Sequence, residues 1–298
     1  MKPTRSRHEP VDRGTLSVWQ VVELARHPDR PYSLDYITRL APDFIELHGD
    51  RLTGDDPALV GGIGTWHGRT VCFLGNQKGR NVAERVRRNF GMLHPEGFRK
   101  AMRLAHLAAK FGFPIISLVD TPGAYPGAAA EERGVASAIG YAIMEWFEIP
   151  VPIVAVVIGE GGSGGALGTA VADRVLMLEN SIYSVASPEA AASIVFRDNA
   201  RKVEAAEQLQ ITSRDLLAMG VVEEVVEEPE GGAHTDVEAA ARTLDQALWR
   251  NLRPLLDDSP EHLLQVRYER FRYIDSLVTA HPDFGPKVEG GNSQGSVA

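Results

Sequence analysis

The apolar positions of this chain follow two rhythms. Unbroken runs, "PIISLVD" (114–120), "VPIVAVVI" (151–158) and "RVLML" (174–178), have the length and composition of strands buried on both faces. Around them apolar residues recur at helical spacing. In "PEGFRKAMRLAHLAAKFG" (95–112), Met102, Leu104, Ala105, Leu107 and Ala108 suit one buried face, with proline at the start and glycine at the end. Further helices are predicted over 17–26, 33–41, 131–148, 213–220, 236–252 and 259–280, and a short one runs from the glycines near 164 to Asp173. "ALVGGIGTWHGRTVCFLGNQ" (58–77) predicts two strands joined at His67-Gly68, and "VVEEVVEE" (221–228) an alternating strand. Apolar strands alternating with helices imply parallel pairing with both sheet faces covered, an α/β architecture. Residues 1–14 and 285–298, polar and rich in glycine and serine, are predicted to be disordered tails.

Composition narrows the class without naming a chemistry. The 298 residues are 44% hydrophobic and 24% charged, ordinary for a globular chain of one large domain or two small ones. No apolar run approaches the roughly 18–20 residues that span a membrane. The polar start lacks the apolar segment of a secretory signal, so a cytoplasmic protein is expected. The single cysteine, Cys72, excludes an internal disulfide and a four-cysteine zinc site, and in "TVCFLG" it reads as a small buried hydrophobe. A net charge of −9 argues against nucleic-acid binding by the whole surface. The charge is uneven, however. Lys78, Arg80, Arg85, Arg87, Arg88, Arg99, Lys100 and Arg103 face only Glu84 and Glu96 in the same stretch. Such a run meets phosphates or an acidic partner, or else forms a solvated helix face with salt bridges.

The candidate chemistry sits in "GEGGSGGA" (159–166), directly after a buried strand. Gly159, Gly161 and Gly164 fit a dinucleotide fingerprint, with Glu179 at the spacing of a ribose-binding carboxylate. Gly161, Ser163 and Gly165 fit a nucleophile elbow, with Asp173 or Asp198 and then His234 as its partners in chain order. The third reading is a helix N-terminus whose backbone N–H groups hold an oxyanion, which asks little of any side chain. No lysine follows to make a phosphate loop. "DTPGAYPG" (120–127) provides a second backbone edge that faces a ligand, or a plain proline-rich connection.

Longer motifs carry a resemblance. "RRNFGMLHPEGFRKAMRLA", "DTPGAYPGAAAEERG", "GEGGSGGAL" and "YSVASPEAAASI", with "WQVVELARHPDRPYSLDYI" and "EPEGGAH", resemble the alpha subunits of bacterial acetyl-coenzyme A carboxylase carboxyltransferase, from about Leu16 to Tyr273. The resemblance implies a crotonase/ClpP-like superhelix of repeated ββα units over 15–284, with helical ends. It implies transfer of a carboxyl group from carboxybiotin, tethered to a carrier protein, to acetyl-coenzyme A, giving malonyl-coenzyme A for fatty acid synthesis. Gly164 and Gly165 would form the oxyanion hole for the biotin ureido oxygen. Gly123, Ala124, Tyr125, Gly161, Gly162, Ser163, Arg87 and Arg88 would line the substrate site. The general base would be borne by the substrate, so no histidine or carboxylate of this chain need be one. The implied partners are a beta subunit carrying the zinc ribbon, in an alpha2beta2 assembly, the biotin carboxyl carrier protein and biotin carboxylase. ATP and nucleotide binding are implied for that complex. Neither a membrane nor a specific nucleic acid is expected as a partner. The chain departs from the pattern in a shorter N-terminus, in Asn76 where histidine is expected, in Ala190 where glycine is expected, and in "GTAVAD" after the turn. Two rival readings remain: a nicotinamide-dependent oxidoreductase using Gly159, Gly161, Gly164 and Glu179, and a scaffold that binds a partner through its basic run.

Overall fold

A computed structural model describes residues 16–280; the two stretches read as tails, 1–14 and 285–298, lie outside the described residues. Helices α1 (Val18–Ala25) and α2 (Ser33–Leu40) precede strand β1 (Ile45–Glu46) and the hairpin β2 (Leu59–Trp66) and β3 (Arg69–Asn76). The hairpin turns at His67 and Gly68 with φ of 47° and 71°, both left-handed, as a two-residue turn that follows the strand twist requires. Helices α3 (Val82–Arg87) and α4 (Pro95–Phe111) lead to strand β4 (Ile115–Thr121). Then come α5 (Ala128–Glu132), α6 (Val135–Trp146), strand β5 (Ile153–Gly162), α7 (Ser163–Ala170), β6 (Arg174–Leu178) and β7 (Ile182–Ser184). Helices α8 (Pro188–Ala191), α9 (Lys202–Leu209) and α10 (Ser213–Ala218) precede β8 (Glu224–Val226). Helices α11 (Val237–Leu252) and α12 (Pro260–Ala280) follow.

The strands form one sheet in the order β1-β2-β3-β4-β5-β6-β8, with β7 attached to β5. The first three pair antiparallel; every later pairing is parallel. Strand β5 serves two neighbours in succession, β6 along 154–157 and β7 along 160–162. Side chains alternate across the sheet, so Ile115 and Val119 join the core beneath α4, α6 and α7, while Ile116 and Leu118 join that beneath α2 and α11. Both faces are covered, which is why the strands read as continuous apolar runs.

Three expectations change. The helix over 131–148 breaks at Gly134, whose φ of 77° interrupts the helical backbone between α5 and α6. The strand over 221–228 shrinks to the three residues that pair with β6. Most important, β5 does not end with its apolar run. It continues through Gly162, because β4 and β7 supply partners for Gly161, and β7 also for Glu160 and Gly162.

Helix α12 is fastened by a residue that looks like surface charge in the sequence. The Arg267 guanidinium is fully buried and donates to the carbonyls of Trp146 (2.7 Å), Ile149 (2.8 Å) and Val151 (2.9 Å) and to both carboxylate oxygens of Asp173 (2.8 and 2.9 Å). Asp173 also accepts the N–H of Ile153 at 2.7 Å, so the same pair holds the start of β5.

Candidate active site

The C-terminal ends of parallel strands β4 and β5 lie side by side, and each feeds one of the two glycine-bearing motifs. After β4, the Thr121 hydroxyl donates to the Gly123 carbonyl at 2.6 Å, and the Tyr125 N–H donates to the Leu93 carbonyl at 3.1 Å, which shapes the "PGAY" loop. After β5 there is no loop at all. Gly162 is the last strand residue and Ser163 the first helical one, and Ser163 bends the chain with φ of 52°. No side chain caps α7, so its first-turn N–H groups, which have no acceptor within the helix, are not taken by a cap.

The glycines of the turn do different work. A Cβ on Gly162 would lie 3.0 Å from the Gly123 nitrogen and nearer still to the Pro122 carbonyl. A Cβ on Gly165 would lie 2.6 Å from the Gly123 oxygen and crowd the Ala124 nitrogen. The "PGAY" backbone therefore rests directly on the turn, and these two positions have no room for a side chain. At Gly164 a Cβ would meet only Ile139, at 3.5 and 3.7 Å, which is ordinary contact. Gly164 instead borders a cavity of about 270 Å³ with Ser163, Leu167, Tyr183, Ser184, Val185, Leu216 and Val221. Burial raises the Tyr183 phenol to about 12, so it stays protonated at neutral pH.

Gly123, Ala124, Gly162, Ser163, Gly164 and Gly165 are thus brought together, with Gly161 and Tyr125 in the same two segments. Arg87 is the last residue of α3, which leaves the same end of the sheet after β3, and Arg88 follows as its C-cap. Arg87 is exposed, whereas Arg88 donates to the Pro57 carbonyl at 2.8 Å. The rest of the basic run does not form a patch. Lys78 pairs with Asp120 (2.8 Å) and Glu160 (3.1 Å), Arg80 with Asp35, Arg99 with Asp50 (2.9 Å) and Lys100 with Asp55 (2.8 Å). Arg85 and Arg103 donate to the Gly79 and Gly49 carbonyls. The run read as uneven because its acidic partners are distant in sequence.

The dinucleotide reading fails on geometry. Gly159 and Gly161 lie inside β5, where a pyrophosphate needs a turn. The Glu179 carboxylate accepts the Glu228 N–H at 3.3 Å and pairs with Arg214 at 3.5 Å. The serine elbow has the expected strained backbone at Ser163 but not its partners. Asp173 is committed to Arg267, Asp198 accepts the Ala200 N–H at 2.9 Å, and the His234 ring stacks on His27 at 3.7 Å. Among the described residues no group of three or more His, Cys, Asp or Glu side chains is placed to hold a metal, and no helix is long and apolar enough to cross a membrane.

Sequence reasoning overlooked a charged cluster beneath the turn. Lys78 bridges Asp120 and Glu160, Arg26 donates to Glu160 (2.8 Å) and Glu189 (2.7 Å), and Arg30 pairs with Glu228. Its cations hold the Glu160 carboxyl below the usual range against the opposing effect of burial. The available signal was a carboxylate at the end of each of two apolar strands, Asp120 and Glu160.

The model of the family described as acetyl co-enzyme A carboxylase carboxyltransferase-like matches residues 6–275. The chain is 56% identical over 263 residues to the acetyl-coenzyme A carboxylase carboxyl transferase subunit alpha of Sorangium cellulosum, covering 88% of this chain and 83% of that one. It is 53% identical over 280 residues to the protein of the same name from Deinococcus radiodurans, covering 93% and 89%. Among solved structures, a Pseudomonas malonate decarboxylase hetero-tetramer in complex with coenzyme A superposes with a TM-score of 0.65 at 17% identity, over 82% of this chain and 96% of that one. Transcarboxylase 12S superposes with a TM-score of 0.59 at 24% identity, over 76% of this chain but only 44% of that one. These likenesses bear out the crotonase-like fold. The oxidoreductase alternative and ATP binding find no support in them. By its motifs, its fold and these matches, the chain belongs to the acetyl co-enzyme A carboxylase carboxyltransferase family, on the alpha-subunit side.

Proposed function

We propose that this chain is the alpha half of a carboxyltransferase that moves a carboxyl group from carboxybiotin, presented by a carrier protein, to acetyl-coenzyme A. The observation that carries this reading is the uncapped start of α7, glycine-lined, bordered by the "PGAY" backbone and open to a cavity. Carboxybiotin, when bound, supplies the carboxyl group and then accepts the proton that must leave the thioester methyl. What this chain does is electrostatic. The N–H groups of Gly164 and Gly165, at the positive end of the helix, hold the negative charge that appears on the ureido oxygen as the carboxyl group departs. They suit that task because the backbone is fixed before the charge forms. Gly123, Ala124, Tyr125, Gly161, Gly162 and Ser163 shape the wall around that oxygen. Arg87, exposed on α3, is the better placed of the two arginines for the phosphates of coenzyme A, since Arg88 is engaged with Pro57.

The second oxyanion, on the thioester, requires a second set of donors, which we assign to a beta subunit. That subunit would carry the zinc ribbon, and the pair would assemble as alpha2beta2, served by a biotin carboxyl carrier protein and biotin carboxylase in the cytoplasm. The domain would span 15–284. The test is co-expression with a zinc-ribbon beta-type protein, purification of the complex, and a malonyl-coenzyme A decarboxylation assay with free biotin. A stable complex with biotin-dependent turnover is expected. Absence of both association and turnover would refute the reading.

A further inference from the structure

Between β4 and β5 the parallel register slips. Val119 lies opposite Val157, yet Thr121 lies opposite Gly161, so Asp120 alone faces three residues of β5: Ile158, Gly159 and Glu160. The two extra residues form a bulge directly upstream of the oxyanion turn, and a bulge releases backbone groups that need other partners. Two buried charged side chains meet that need. The Asp120 carboxylate accepts the Glu160 N–H at 2.9 Å, and Arg30 donates to the Ile158 carbonyl at 2.6 Å. Gly159 makes room for the first of these, because a Cβ there would lie 2.8 Å from the Asp120 carboxyl carbon. Each clamp has its own counter-charge. Lys78 lies 2.8 Å from Asp120 and continues to Glu160 at 3.1 Å; Glu228 pairs with Arg30. Asp120 is 1% exposed, and Lys78 is the cation paired with it there.

We infer that Lys78 and Asp120 are positioning residues for the oxyanion turn: together they hold the β5 bulge that presses Gly162 and Gly165 against the Pro122–Gly123 backbone and so aims the first N–H groups of α7. The inference rests on the carboxyltransferase reading and goes beyond it by assigning a role to two side chains outside the substrate wall. It also gives Gly159 a purpose unconnected with nucleotides.

The test is a cycle in the assembled complex with the beta-type partner, following kcat and KM for malonyl-coenzyme A, complex integrity by sedimentation, and thermal stability. Asp120→Ala removes the acceptor for the Glu160 N–H. Asp120→Asn keeps an acceptor oxygen and gives up only the charge. Displacing the turn by about 1 Å should cost Asp120→Ala on the order of a hundredfold in kcat with KM unchanged. Asp120→Asn should recover most of that loss. Lys78→Met should lower kcat at least about tenfold in the Asp120 background, because it takes a counter-charge from two buried carboxylates, and should cost clearly less when added to Asp120→Asn, where only Glu160 loses a partner and Arg26 still pairs with it. The double variant also guards against a Lys78→Met protein that fails to assemble. The positioning role is overturned if assembled Asp120→Ala keeps wild-type kcat, or if Lys78→Met costs as much in the Asp120→Asn background as in the wild type. An active wild-type complex with unaffected variants would overturn this role alone; an inactive wild-type complex would overturn the carboxyltransferase reading and this inference with it.

Discussion

Alanine placed at Gly165 and at Gly164 should have unequal effects, although the two residues are neighbours in the same helical turn. At Gly165 the new Cβ would lie 2.6 Å from the Gly123 oxygen. Ordinary carbon–oxygen contacts begin near roughly 3.3 Å, so the loop or the helix start must withdraw by about 0.7 Å or more. Overpacking of this kind costs about 1–3 kcal/mol of stability. The same displacement moves a backbone donor away from the charge it serves. Losing one such donor costs roughly 2.7–4 kcal/mol, or about 10²–10³ in kcat. At Gly164 the Cβ meets only Ile139, at 3.5 and 3.7 Å, and the backbone N–H stays in place. Gly164→Ala should therefore leave kcat within about tenfold of wild type and raise stability by about 0.4–1 kcal/mol, the usual gain where alanine fits a glycine conformation. The assay is steady-state decarboxylation of malonyl-coenzyme A by the purified complex, with denaturant unfolding of each variant. If assembled Gly165→Ala turned over at the wild-type rate, or Gly164→Ala lost more than Gly165→Ala, the assignment of close packing to one glycine and open space to the other would be wrong.

Two further outcomes follow from the buried charges. Arg267→Met strands Asp173 and three backbone carbonyls and should lower stability by about 3–5 kcal/mol, read as a fall in the denaturant midpoint, with Asp173→Asn added to it restoring part of the loss. The Glu228 carboxylate is held below its usual range, against burial, by Arg30 and by Asn180. Its stabilising effect is therefore fully present above the unfolded-state value of about 4.3 and is lost as pH falls through the lower folded value. Unfolding free energy should decline below that pH in the wild type and decline less steeply in Glu228→Gln, measured by denaturant titration across the acid range.

Much of this protein was determined by local pattern. The runs 114–120, 151–158 and 174–178 became β4, most of β5 and β6, because a strand covered on both faces has no polar side to show. The hairpin at His67-Gly68 and the limits of α4 were written in turn and capping residues. The family was written in motifs long enough to be specific. What "GEGGSGGA" does was not. Three chemistries fit its letters, and the choice depended on neighbours from elsewhere in the chain. Pairing with β4 and β7 turned Gly161 into strand and left Gly159 in the bulge of the same strand. Backbone from 122–124 made Gly162 and Gly165 obligatory and left Gly164 free. The basic run and Arg267 show the same limit. Periodicity reports which face of an element is buried, but the partner that neutralises a charge lies on another element; Arg267 and Asp173 are 94 residues apart and Lys78 and Glu160 are 82 apart. A sequence shows that such charges exist, and only the packed structure decides which of them meet.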